Sequence, residues 1–128
     1  MRLGIGVATF NRAAHLAETL DRIRRHTRAR YELVVSDDGS TDETRSVLKS
    51  AKAGSIHGPN RGVAWNKNRL LYCLHAVRRC DVIILLEDDT SPQVDGWEQV
   101  WIEAAQRWGH ANLAGYWFAH CFLSLIHI

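Results

Sequence analysis

Three acids, Glu87, Asp88 and Asp89, stand side by side directly after the apolar run "VIILL". Like charges in contact raise one another's pKa, so the cluster is costly unless a cation or several donors compensate it. Residues two apart at a strand end point to the same side, which groups Glu87 with Asp89 and sends Asp88 away. Two convergent carboxylates suit a hard divalent cation, Mg²⁺ or Mn²⁺, which typically takes one or two protein carboxylates and completes its shell with water and phosphate. Turn formation explains "DDTSP" as well, since the same residue types favour tight turns.

Two more stretches carry chemistry. In "DDGSTDET", Gly39 permits a tight turn and Ser40 to Asp42 can cap a helix, which leaves Asp37 and Asp38 at a strand tip. Acids placed there accept hydrogen bonds from a nucleobase N–H or a ribose hydroxyl. In "GPNRGVAWNKNR", Arg61, Lys67 and Arg69 gather near a helix start, where cations and free N–H groups together hold a diphosphate. Cations there oppose the helix dipole and so call for a reason, although a glycine-proline loop feeding an amphipathic helix with a wet face gives the same pattern. The five arginines between Arg22 and Arg30 fit the solvated end of a helix better than a phosphate-binding or lipid-binding patch.

Positioning these groups requires a scaffold, and the apolar pattern supplies one. "LGIGVAT" (Leu3 to Thr9), "YELVVS" (Tyr31 to Ser36) and "VIILL" (Val82 to Leu86) read as buried strands. Helical spacing appears in Leu16, Leu20 and Ile23, around Val47 and Leu48, in Leu70, Leu71, Leu74 and Val77, and from Trp97 to Trp108. Alternating β and α segments predict an α/β fold: a Rossmann-like, mostly parallel sheet with helices on both faces. Ligands of such sheets bind outside the carboxyl ends of the strands, so "TFNR" (Thr9 to Arg12), "DDGSTDET" and "EDDTSP" should open on one edge.

A chain of 128 residues and 14.5 kDa fits one ordinary domain with a real core. Its 46% hydrophobic and 23% charged residues exclude disorder, and a net charge of +2 gives no sign of a nucleic-acid or membrane partner. Cys73 and Cys80 read as sharing a helix, seven residues and about 10 Å apart, too far for a disulfide, so these thiols point to a reducing, cytoplasmic setting. Neither the three cysteines nor the seven histidines have zinc-site spacing. No charged-then-apolar leader opens the chain, and "LAGYWFAHCFLSLIHI" falls short of the roughly 20 apolar residues a membrane span needs.

In order and spacing, "VATFNR", "YELVVSDDGSTDET", "PNRGVAWNKN" and "VIILLEDDTSP" resemble the nucleotide-binding half of family 2-like glycosyltransferases with the GT-A fold. That resemblance runs from Leu3 to about Trp108. It implies metal-dependent sugar transfer from a nucleoside diphosphate, a UDP-sugar first, to an acceptor hydroxyl that the chain does not name. Thr9 and Asn11 match the strand-end segment that touches the nucleotide, and Asp38 the residue that reads the base, with Arg12, Asp37 and Asp88 as further candidates for binding the donor. Lys67 stands where many members have an arginine near the diphosphate, a point charge in place of a fork. Glu87 and Asp89 match the ends of the D-x-D motif, with Asp89 the foremost metal ligand.

The resemblance further implies that the general base of an inverting displacement belongs to a second half of the enzyme. Residues 1–120 are accordingly read as a donor-binding half-domain, and 121–128 as a non-native tail, since "LSLIHI" resembles translated vector sequence. A folded but inactive nucleotide-binding or interaction module remains the alternative. A dehydrogenase is disfavoured because Gly4 and Gly6 lie inside a strand with no third glycine opening the helix, and a receiver domain because Thr9 and Phe10 stand where its acids belong. Trp97, Trp101 and Trp108 recur at helical spacing and are assigned to packing, while Trp65 is a candidate for the donor pocket.

Overall fold

The computed structural model describes residues 1–113 and 123–127. Strand β1 (Leu3–Thr9) leads to helix α1 (Ala13–His26), then β2 (Tyr31–Asp37), α2 (Thr44–Ala51) and β3 (Gly54–His57). Helix α3 (Val63–Tyr72) continues for one π turn over Cys73–Val77 before β4 (Val82–Glu87), α4 (Glu98–Trp108), β5 (His110–Leu113) and β6 (Leu123–His127). The strands form one sheet in the order β3-β2-β1-β4-β6-β5. β3, β2, β1 and β4 run parallel, whereas β6 is antiparallel to both β4 and β5.

The order dictates the layering. The chain steps outward from β1 to β2 to β3, then crosses back over the sheet to place β4 on the other side of β1. Right-handed crossovers put their helices on opposite faces when the direction of travel reverses. Accordingly Leu16, Leu20 and Ile23 of α1, Leu48 of α2 and Trp101, Ile102 and Ala105 of α4 form one core with Leu3, Ile5 and Val7. Leu70 of α3 and Leu74 of the π turn form the other with Ala8, Val34, Ile83 and Leu85.

Strand β1 alternates large and small: Leu3, Ile5 and Val7 face the first core, Gly4, Gly6 and Ala8 the second. A Cβ on Gly6 would lie 2.9 Å from Leu85 Cδ2 and 3.1 Å from Leu74 Cδ1, and one on Gly4 2.9 Å from Cys80 Sγ. These glycines let the α3 layer approach the sheet closely, a packing role and not a dinucleotide turn.

Two expectations need correction. Trp97 and Trp101 are buried, but Trp108, on the same stripe and the last residue of α4, is 63% exposed. Cys80 does not share a helix with Cys73: the π turn ends at Val77, Arg79 takes a positive φ of 57°, and Cys80 is buried beneath β1. Both thiols are free, and Cys121 lies outside the described residues. The arginine-rich run at the end of α1 and just beyond it pairs with surface acids, Arg22 with Glu18, Arg25 with Asp21 and, past the helix, Arg28 with Asp95. Among the described residues no helix is long and apolar enough to cross a membrane.

Candidate functional site

Register brings the strand ends level. Thr9 pairs with Asp37, Asp37 with His57 and Ala8 with Glu87, so the loops after all four parallel strands leave from one edge. β1 and β4 are neighbours at the point where the crossovers reverse, the place where parallel sheets open a crevice. A cleft of about 400 Å³ lies there, lined by Thr9, Phe10, Arg12, Asp38, Val63, Asn66 and the three acids of the "EDD" run.

The acids divide as their alternation demands. Asp88 turns inward, 4% exposed, and accepts a 2.9 Å hydrogen bond from Thr9 Oγ1. Its carbonyl oxygen accepts from the buried Thr19 Oγ1 of α1 at 2.7 Å. Burial pushes the Asp88 carboxyl above the ordinary carboxylate range, the Asp89 charge adds to this, and the bonds from Thr9 and Phe10 and the charge of Arg12 work against it. Asp88 thus fixes the β4 loop against β1 and α1. Glu87 and Asp89 face the cleft, each matched to a cation: Lys67 Nζ reaches Glu87 Oε1, and Arg12 Nη1 lies 2.9 Å from Asp89 Oδ2. Among the described residues no three His, Cys, Asp or Glu side chains are grouped to hold a metal ion.

The β2 loop is held by its own acids. Asp37, 1% exposed, accepts from Ser40 N at 3.0 Å and lies 3.3 Å from His57 Nδ1. Asp38, 3% exposed, accepts from Arg61 N and Gly62 N at 2.9 Å each, clamping the loop that enters α3. Gly39 has a φ of 86°, and a Cβ there would lie 2.8 Å from Asn60 N, so the turn requires glycine.

Asn11 ties the first loop to the second. Its φ of 50° is in the left-handed region that asparagine tolerates, and its Oδ1 accepts from Thr41 N at 2.7 Å and Asp42 N at 3.4 Å. Asp42 completes the link, accepting from Ala13 N at 3.0 Å through Oδ2 and from Thr44 N and Oγ1 through Oδ1. The Thr44 hydroxyl bond, helped by the backbone donors, holds its carboxyl below the ordinary value of 3.8. A lowered carboxylate contributes stability that is present above the unfolded value and lost as pH falls through the folded one. Asp42→Ala is therefore expected to melt at lower temperature than wild type at pH 7, with the gap closing below the ordinary value of 3.8. Calorimetric melts across that range measure it.

Several contributors escaped the sequence reading. Asn66, 3% exposed, donates to Ser36 O at 2.9 Å and Thr9 O at 3.4 Å, anchoring the first turn of α3 to the ends of β2 and β1. Its signal was position: Asn66, Leu70 and Leu74 form one stripe at i, i+4, i+8, so a polar residue stood on the buried face. Thr19, beside Leu16, Leu20 and Ile23, carried the same signal. Arg69 is not a cleft cation. Its guanidinium packs where any side chain on Gly58 would collide, and Nη2 donates to Asn66 Oδ1 at 2.9 Å and Asp37 O at 3.2 Å. Arg61 lies over the Trp65 ring at 5.2 Å, and Trp65 lines an apolar hollow with Ile56 and Tyr72 outside the cleft.

A family model described as Glycosyl transferase family 2 matches residues 5–120. Over 50 residues, 38% of this chain, the sequence is 52% identical to validoxylamine A glucosyltransferase of Streptomyces hygroscopicus subsp. jinggangensis, and the match spans 12% of that protein. The fold superposes on a mannosyltransferase from Pyrobaculum calidifontis, solved with GDP-Man and Mn²⁺, with a TM-score of 0.70 at 19% identity, covering 98% of this chain and 44% of that one. Glucosyl-3-phosphoglycerate synthase from Mycobacterium tuberculosis, solved with Mn²⁺, UDP and glucosyl-3-phosphoglycerate, gives 0.59 at 20% identity, covering 81% of this chain and 39% of that one.

Proposed function

The chain belongs to glycosyl transferase family 2, and from that premise we propose that it is the donor-binding portion of an enzyme that moves a sugar from a nucleoside diphosphate to an acceptor hydroxyl. The observation that carries this reading is the cleft between β1 and β4, where Glu87 and Asp89 face Arg12 and Lys67. Glu87 and Asp89 fit Mg²⁺ or Mn²⁺: two carboxylates at one cleft wall suffice when phosphate and water supply the remaining oxygens. A cation bound there supplies positive charge against the departing diphosphate.

The protein's own groups do the positioning. Asp38 retains lone pairs beyond the two it gives to the α3 loop, so it can accept from the base or ribose. Thr9, Asn11, Asp37 and Asp88 act on the donor through the loops they hold. We assign none of the described residues as the general base that takes the acceptor's proton. Residues 1–120 carry the donor-binding loops in this reading, and the free Cys73 and Cys80 thiols among the described residues support a cytoplasmic setting.

Calorimetric titration of the folded chain with UDP, GDP and TDP, each with and without Mn²⁺, tests the reading. UDP comes first and GDP second, after the nucleotides in the two solved relatives. Metal-dependent binding of one nucleotide, weakened by about a hundredfold or more in Asp89→Ala, is expected when a metal ligand is lost. A second reading, an inactive module, draws support from the ion pairs that neutralise both acids. Absence of nucleotide binding from a folded chain would establish it in place of the first.

A further inference from the structure

We infer that Arg12 and Lys67 are exchange partners: in the free chain they neutralise Asp89 and Glu87, and when the donor arrives they pass to its diphosphate while the cation takes the two carboxylates. The inference rests on the donor-site reading above. Three carboxylates at the cleft mouth, Glu87, Asp88 and Asp89, stand against these two cations. A divalent ion alone would therefore share its ligands with an arginine and a lysine. A diphosphate alone would face the carboxylates. Arriving together, they give the two exchanging carboxylates the cation and the diphosphate the two side-chain cations, while Asp88 keeps its hydrogen bond from Thr9.

The pairs are suited to breaking. Arg12 and Asp89 are about half exposed, at 51% and 49%, and Lys67 and Glu87 about a third, at 31% each. Ion pairs this wet contribute little to stability, so their loss is readily offset. Asp88 is the fixed member, with side-chain exposure of 6% and a bond to Thr9 at 2.9 Å, and it holds the loop while its neighbours change partners. Arg12 also reaches Asp88 Oδ1 at 3.5 Å, so one guanidinium spans the fixed acid and the exchanging one. Cation and nucleotide must then bind cooperatively, each strengthening the other by the same factor.

The signature is a change of opposite sign in the two affinities. Mn²⁺ binding to the whole chain is followed by the paramagnetic resonance of the free ion, with and without UDP, in wild type, Arg12→Gln and Lys67→Gln. Melting curves verify that each variant is folded. Without nucleotide, each variant is expected to bind Mn²⁺ about tenfold more tightly, because a competing positive charge is gone. With Mn²⁺ saturating, each is expected to bind UDP about tenfold more weakly, because a charge-assisted bond to phosphate is gone. Mn²⁺ affinity that falls or stays unchanged in both variants overturns the exchange while wild-type UDP binding leaves the donor site intact. Wild type that takes Mn²⁺ but no UDP, GDP or TDP overturns the donor site and the exchange with it.

Discussion

Asp38→Ala is expected to lower the free energy of unfolding by about 2–3 kcal/mol, read from urea denaturation. Both carboxylate oxygens accept backbone N–H groups at 2.9 Å, from Arg61 and Gly62, and the side chain is almost wholly buried. A hydrogen bond to an ionised group contributes about 1.5–3 kcal/mol, but Arg61 and Gly62 are exposed, so water recovers part of the loss. Arg69, with Nη2 3.7 Å from Asp38 Oδ1, loses its nearest counter-charge as well. Asp38→Asn keeps one acceptor and turns an NH₂ toward a donor, so it should lose nearly as much. A change below about 0.5 kcal/mol, the range of ordinary surface substitutions, would mean that the loop into α3 holds itself without the clamp. Nucleotide binding by the folded variant separates the two roles of Asp38. Lost affinity beyond the loss of folded protein supports contact with the donor, and unchanged affinity restricts Asp38 to holding the loop.

The second large effect lies away from the cleft. Leu74→Ala should cost about 2–5 kcal/mol, the range for deleting a fully buried leucine. Leu74 is 0% exposed, and its methyl groups fill the space over Gly4 and Gly6 that a Cβ on either would enter. Leu74→Met keeps the volume and should cost less than about 1.5 kcal/mol. Gly6→Ala offers a coupling test. Alone it crowds Leu74 Cδ1 at 3.1 Å and Leu85 Cδ2 at 2.9 Å, but beside Leu74→Ala it fills part of the void. The double variant should be more stable than the sum of the single losses allows, and strict additivity would show that the two sites do not share this space.

The parallel half of the fold was legible because its strands are buried on both faces and so appear as unbroken β-branched runs. The three expected strands match β1, β2 and β4 to within a residue at one end. β3 escaped because "GSIH" is four residues long and alternates in burial, too short a period-2 signal to stand out. The acids were found as a cluster, and local alternation separated Asp88 from Glu87 and Asp89. Long-range pairing was not legible. That Arg12 meets Asp89 depends on β1 and β4 being neighbours in the sheet, and that Lys67 meets Glu87 depends on α3 packing over those strands. The misreading of Arg69 has the same origin: nothing local distinguishes a cation that reaches solvent from one that fills the slot above Gly58.

The cross-links among the loops, Asn11 to Thr41, Asp42 to Ala13, Asp38 to Arg61 and Thr9 to Asp88, have a consequence for how specificity changes over time. Independent loops on a rigid sheet are exchangeable parts, each free to vary without regard to the others. Here a substitution in one loop withdraws a hydrogen-bond partner from another, so its effect depends on what the other carries. New donor preferences in this scaffold should arise through paired substitutions across loops, and single-loop grafts from a relative should fail for want of the matching residue.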